Sequence, residues 1–377
     1  MDTLTHGLAG ALLARSFPAD DGTPLGRSLR RREVWLGFAA AMFPDADALL
    51  SPFSAEFYIT QHRGLSHSFL LLPLWALLLA VPAMLWLPKA PAPEVARARS
   101  RLALVSGAGV ASHILLDWIT SWGTMFLSPF SWRRFTLDWV FIVDAAMSGL
   151  IVLGLAGGMV VAWRRGDRRG RWAARWAAVA TALYIGFCAV RHADAMAEAN
   201  RLFHEPARAR AAIPQPLSPD RWLLLDDDGQ RITSAFVDLS KRGTPPPQAP
   251  PAALLDEIAA SRRGLSLLVG RLGDLYGPPE RPALHVMPKS DGPLAGRTLA
   301  EGASGVFGRF ARFPAAREQR TADGAVRVVL RDLRFGYLAG RLDPFTFEAL
   351  YEPGGKLLSA GFPSERWRSS PPVAVSK

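Results

Sequence analysis

The chain has 377 residues, a net charge of +11 and 49% hydrophobic content, the last concentrated before residue 190, so a membrane half precedes a soluble half. The positive charge does not point to nucleic acid, because it lies largely in short loops beside apolar segments, where it sets topology, and no DNA- or RNA-binding motif is present. The single cysteine, Cys188, sits inside an apolar run, which excludes a disulfide framework and a thiolate metal site.

A cleavable signal peptide is not expected, since Met1-Asp2-Thr3 is acidic where a signal is basic. Residues 4–17 are apolar but short, contain His6 and Arg15, and either span or lie partly embedded. Arg27, Arg30, Arg31 and Arg32 precede a segment at 34–50 that Asp45 and Asp47 interrupt late. A polar, aromatic-containing loop, 51–61, leads to the strongest span. That span, 68–88, has no charged residue and is long enough for a hydrocarbon core of roughly 30 Å. A basic Pro/Ala loop with Lys89, Arg97, Arg99 and Arg101 follows, then a span at 102–118 with His113 and Asp117 at its far end. Trp118, Trp122, Trp132 and Trp139 mark a loop at headgroup depth. Spans at 145–163 and 176–190 flank the basic stretch 164–175.

Counting basic residues places those three basic loops on the cytoplasmic side. Asp45 and Asp47, His62 and His67, His113 and Asp117, and Asp138 and Asp144 then gather at the outer ends, with His6 if the first segment crosses. The expected fold is mainly α: a polytopic helical membrane bundle of about six segments over residues 1–200. A Pro/Arg-rich linker at 201–220 and a small extracytoplasmic α+β or mostly β domain at 221–365 follow. In that domain 221–225 and 232–239 flank an Asp227-Asp228-Gly229 hairpin turn, 326–330 and 345–351 read as strands, and Glu352-Pro-Gly-Gly reads as a turn. Residues 243–252 read as a Pro-rich loop and 253–276 as partly helical.

His113 and Asp117, at i and i+4, share one helix face. Taken singly, each motif has a plain reading: Asp45 and Asp47 as a solvated helix end, His62 and His67 as exposed loop histidines, His6 as an interfacial one. Ionisable groups in membrane segments usually mark a site or a polar cavity, and gathering at one face favours a site. Histidine and carboxylate without cysteine suit zinc or another first-row divalent ion. His192 and Asp194 read as a solvated helix end, and His204 and His285 receive no role. Asp226-Asp227-Asp228-Gly229 lacks the downstream glutamate of a calcium loop.

Taken in order, Asp2-Thr-Leu-Thr-His6, Phe43-Pro-Asp45-Ala-Asp47, His62-Arg-Gly-Leu-Ser-His67-Ser and His113-Ile-Leu-Leu-Asp117 resemble the YdjM-like family of membrane-bound metal-dependent hydrolases. The resemblance covers about residues 1–200 and takes in Gly123-Thr, Pro129-Phe and 138–144. Val329-Leu-Arg-Asp-Leu-Arg-Phe335 resembles an extension that some members carry. A bacterial-type inner-membrane enzyme is implied, with the C-terminal domain outside. His6, Asp45, His62, His67, His113 and Asp117 are the expected ligands of a divalent metal, zinc or else manganese. That exceeds one tetrahedral ion, so either two ions bind or some of these groups orient the ligands. Asp47 is expected as a further ligand or general base. Arg63 is expected to hold a substrate phosphate or anchor a lipid headgroup, and Asp144, with Asp138, to orient ligands or take protons. The expected reaction is attack of metal-activated water on a phosphoester or lipid-linked substrate at the membrane surface. Membrane lipids are the expected partners. The alternatives are a non-enzymatic, metal-stapled scaffold and an ion or solute transporter; the absence of polar groups in mid-span speaks against the latter.

Overall fold

Fourteen residues of α-helix, α1 (Thr3–Ser16), lie at the middle of the N-terminal unit and are buried on almost every side. The computed structural model describes residues 1–18, 24–50, 55–245, 272–300, 305–335 and 346–362. It divides into two units: Met1–Leu50 with Gln61–Val190, and Ser51–Thr60 with Arg191–Lys377. Asp2 starts α1 by accepting the backbone N–H of Thr5 at 2.9 Å, which satisfies one of the free donors of the first turn. Small residues then let neighbours approach closely. α1 packs against α2 (Pro24–Met42), α5 (Ala92–Trp118) and α6 (Ala145–Arg165). At its crossing with α2 a Cβ on Gly10 would lie 2.1 Å from the Gly37 carbonyl oxygen, and one on Gly37 would lie 2.6 Å from that of Gly10. Such small-residue crossings are how helices pack inside a bilayer, where burial of apolar surface drives nothing.

Polar groups occupy both ends of these helices. At one end Arg15 pairs with Asp167, and Glu33 is held by Arg101 and Arg30. At the other lie His6, Asp45, His113 and Asp117. His6 and Arg15 are nine residues apart on α1, roughly 13 Å along its axis.

Among the described residues two helices are long and apolar enough to cross a membrane, α6 and α7 (Asp167–Leu202). A third candidate is the bent pair Glu56–His67 and Leu72–Leu85, with 79° between its halves. Leu153 and Met159 on α6, Leu183 and Phe187 on α7, and Leu74, Leu78 and Leu85 on α4 (Leu72–Leu85) are all exposed. An apolar exterior over a glycine- and alanine-rich interior is the pattern of a membrane bundle. The expected 68–88 span is a 14-residue helix with Pro82 inside it. The basic 89–101 stretch is no loop throughout: α5 begins at Ala92, because alanine and arginine favour helix and Pro93 fits its first turn. Residues 164–175 are likewise helical apart from Gly166, whose φ of 87° separates α6 from α7.

The second unit carries two four-stranded antiparallel sheets in simple sequence order. The first comprises β1 (Ala209–Pro214), β2 (Arg221–Asp227), β3 (Arg231–Asp238) and β4 (Leu284–Pro288). Trp222, Leu224, Ala235 and Val237 form its core with Ala195, Ala199 and Phe203. The second comprises β5 (Pro314–Arg320), β6 (Val326–Asp332), β7 (Phe347–Tyr351) and β8 (Leu357–Gly361). The Asp227-Asp228-Gly229 hairpin joins β2 to β3 with Gly229 at φ 95°, and the turn at Glu352 joins β7 to β8. The expected linker 201–220 is partly regular structure: α7 runs to Leu202, and 209–214 form a strand because register with β2 and burial of Ala211 to Ile213 outweigh the Pro and Arg content. Most of the Pro-rich 243–252 loop and of the helix expected at 253–276 lies outside the described residues.

Candidate metal centre

Pro44 lacks an N–H and disfavours helical backbone before it, so α2 stops at Met42 and a 3-10 stretch, Phe43–Leu50, takes over. That change of pitch presents both Asp45 and Asp47 to the interior. The chain returns through α3 (Ala55–Gln61) and a tight turn in which Arg63 adopts φ 62°. A second 3-10 turn, Leu65–His67, then buries His67 completely. α5 delivers His113 and Asp117 from one face near its C-terminus.

Four side chains converge. Nε2 of His67 and Nε2 of His113 are 2.9 Å apart. Asp117 Oδ2 lies 3.1 Å from the first and 3.4 Å from the second, and Asp45 Oδ1 lies 3.7 and 3.4 Å away. The tautomers follow from the partners. His113 Nδ1 faces the Ala41 carbonyl at 2.6 Å and must donate to it, so in the neutral ring Nε2 is a lone pair. Ser66 Oγ spends its proton on Asp47 Oδ2, so at 2.9 Å it accepts from His67 Nδ1–H, and the His67 Nε2 is a lone pair as well. In the neutral rings two lone pairs face each other, an arrangement that a metal ion or a proton between them relieves.

The carboxylates divide their oxygens in the same sense. Asp117 Oδ1 accepts from His6 Nε2 at 3.1 Å, from Arg63 Nη2 at 2.9 Å and from the Met1 amino group, while Oδ2 is buried without a hydrogen-bond partner. Asp45 Oδ2 accepts from Thr3 Oγ1 at 2.7 Å and leaves Oδ1 to the imidazoles. With bonds of about 2.0–2.2 Å, a tetrahedral zinc would hold its ligand atoms roughly 3.3 Å apart, the range found here. The donor set therefore fits a divalent first-row ion.

A second set, Asp45, Asp47 and His62, has ligand atoms within 4.8 Å of one another. His62 Nδ1 lies 2.8 Å from Asp47 Oδ1; Asp47 Oδ2 also accepts from the Arg63 N–H at 3.2 Å.

The structure brings together Asp45, His67, His113 and Asp117, and sets Asp47 and His62 beside them. His6 touches Asp117 and stacks on His113 with ring centroids 3.7 Å apart, belonging to neither set. Arg63 is buried, and its guanidinium is committed to Asp117 and to Thr120 Oγ1 at 2.8 Å. Asp144 is not part of the cluster. It caps α6 through the Met147 N–H and accepts from the Tyr184 hydroxyl at 2.9 Å. Asp138 accepts from Thr136 Oγ1. Trp122, expected at headgroup depth, is buried, with its ring 5.5 Å from that of His62. Thr3, Ser66, Thr120 and the Ala41 carbonyl escaped sequence reasoning. Thr3 and Ser66 at least lie inside the histidine motifs, whereas Ala41 and Thr120 carry no signal of their own. The 118–144 loop secures the His62–His67 turn from above: Met125 N–H donates to the Arg63 carbonyl at 2.9 Å and Arg134 Nη1 to that of His62 at 3.1 Å.

No curated protein and no solved structure matches the chain. The model of the YdjM inner membrane protein family matches residues 1–195, a stretch that holds all four histidine and aspartate motifs, α6 and most of α7. This chain, with its buried His/Asp cluster at one end of a helical membrane unit, belongs to the YdjM inner membrane protein family.

Proposed function

We propose that the protein is a membrane-bound, metal-dependent hydrolase acting on a phosphoester or lipid-linked substrate at the membrane surface. One observation carries the reading: two imidazole Nε2 atoms and two carboxylate oxygens converge on one point, each ring or carboxylate held by a partner on its other side. A divalent ion bound there, zinc or manganese, would supply Lewis-acid polarisation and could lower the pKa of water from 15.7 to about 7. The protein's own part is orientation. Arg63 and His6 hold Asp117 Oδ1 so that Oδ2 stays free, and Ala41 and Ser66 fix the imidazole tautomers. In this reading Arg63 is a positioning residue, and Asp144 holds α6 rather than a proton in transit.

The topology proposed with it has six segments, the arginine-bearing ends in the cytoplasm and the centre and C-terminal domain outside. The separation of Arg15, Arg30 and Arg101 from His6, Asp45 and His113 along α1, along α2 with the 3-10 stretch after it, and along α5 supports it. Reporter fusions at Asp167 and after Arg210 test this; the same side for both overturns it. For the activity, detergent-purified protein should hydrolyse generic phosphoesters or lipid phosphates, lose turnover to a chelator without loss of fold, and regain it with zinc or manganese. Bound metal without turnover on any such substrate would leave a metal-stapled scaffold.

A further inference from the structure

Resting on the metal-dependent reading above, we infer that the centre holds two ions bridged by Asp45, and that the outer ion, between Asp47 and His62, is the one that meets substrate. The inner set already offers four protein donors, and the side chains of His67, His113 and Asp117 are 0% exposed. A divalent ion with four protein ligands and no access is the arrangement of a structural site, whereas catalytic sites keep about three protein ligands and an open position. The Asp45, Asp47 and His62 set has that second composition. It also lies nearer the surface, with side-chain exposures of 14% for Asp47 and 9% for His62. Asp45 belongs to both sets, and one shared carboxylate is what holds paired ions at about 3.5–4 Å in two-metal hydrolases. Two ions also account for the ligand surplus: Asp45, His67, His113 and Asp117 would hold one, Asp45, Asp47 and His62 the other, with His6 and Arg63 as supports.

The competing arrangement is a single inner ion beside a hydrogen-bonded Asp47–His62 pair, in which Asp47 Oδ1 accepts from Nδ1–H and His62 Nε2 takes a proton. Manganese separates the two. The full chain, purified in detergent and stripped by chelator, is titrated with Mn²⁺ and followed by elemental analysis and electron paramagnetic resonance. The inference expects about two equivalents and the broadened signal of an exchange-coupled pair. An Asp47→Asn, His62→Gln double variant should hold about one equivalent with the hyperfine pattern of an isolated ion. One equivalent in the unaltered protein, with an isolated-ion signal, overturns the second ion and leaves the metal-dependent reading standing. No bound metal overturns both. The titration of the unaltered protein decides the matter without any variant, so misfolding of the double variant leaves the inference falsifiable.

Discussion

His67 and His113 face each other Nε2 to Nε2 across 2.9 Å, and in the neutral tautomers that Ser66 and Ala41 select both nitrogens are lone pairs. A metal ion or a proton between them relieves the repulsion of the two lone pairs. A bound ion should stabilise the folded protein by mass action, about 2.7 kcal/mol at a free concentration 100 times Kd. The expected outcome is a thermal transition in detergent that rises with added zinc or manganese. His113→Ala should abolish that rise together with most of the bound metal. An equal metal-induced shift in the variant would mean that the cation binds elsewhere.

Arg63→Lys tests whether Arg63 serves the metal or the substrate. Its guanidinium reaches Asp117 Oδ1 at 2.9 Å, the Asp117 carbonyl at 3.2 Å and Thr120 Oγ1 at 2.8 Å. A single ammonium cannot reproduce that fork. Loss of an outer-shell partner of this kind weakens metal binding by about 10–100-fold, which competition with a metal indicator dye would read. Unchanged affinity with lost turnover would return Arg63 to the substrate.

The four clustered residues were legible in the sequence because charge inside apolar segments is costly and therefore informative. Asp45, His67, His113 and Asp117 stood out on that ground before any contact was known. Which groups converge on one point and which stand behind them was not legible. Arg63 and His6 carry the same signal as their neighbours, and only the direction of their hydrogen bonds separates them. Asp144 misled because an aspartate before an apolar run is equally a helix cap, and spacing along the chain does not distinguish the two. The hairpin at Asp227 to Gly229 was readable from local turn chemistry. The early start of α5 was not, since prolines beside these arginines signal a loop although the alanines and arginines favour helix.

Two glycines at opposite kinds of position should respond in opposite directions. A Cβ on Gly10 would sit 2.1 Å from the Gly37 carbonyl oxygen, whereas one on Gly149 in α6 would have nothing within 4 Å. Gly10→Ala forces α1 and α2 apart and should cost about 1–3 kcal/mol or more, the range for overpacking. It should also loosen metal, since α1 carries Thr3 and His6 to the centre. Gly149→Ala should be stabilising by about 0.4–1 kcal/mol through lost freedom of the unfolded chain. Thermal unfolding in detergent reads both; equal stability of the two variants would contradict the close crossing.

Asp144 offers the sharpest separation of structural from chemical roles. Its Oδ1 accepts the Met147 N–H at 2.7 Å and its carboxylate accepts the Tyr184 hydroxyl, so it ties the start of α6 to α7. Replacing a capping aspartate by alanine costs about 0.5–2 kcal/mol, while asparagine caps about as well. Asp144→Ala should accordingly lower the thermal transition and leave the bound-metal ratio unchanged, and Asp144→Asn should match the unaltered protein in stability. Turnover is the deciding readout. Asparagine keeps an acceptor oxygen for the Met147 N–H and can meet the Tyr184 hydroxyl with its amide N–H, but it cannot carry a proton at neutral pH, so full activity in Asp144→Asn assigns Asp144 to the fold. An inactive but stable Asp144→Asn, with its metal in place, would instead assign it to proton transfer.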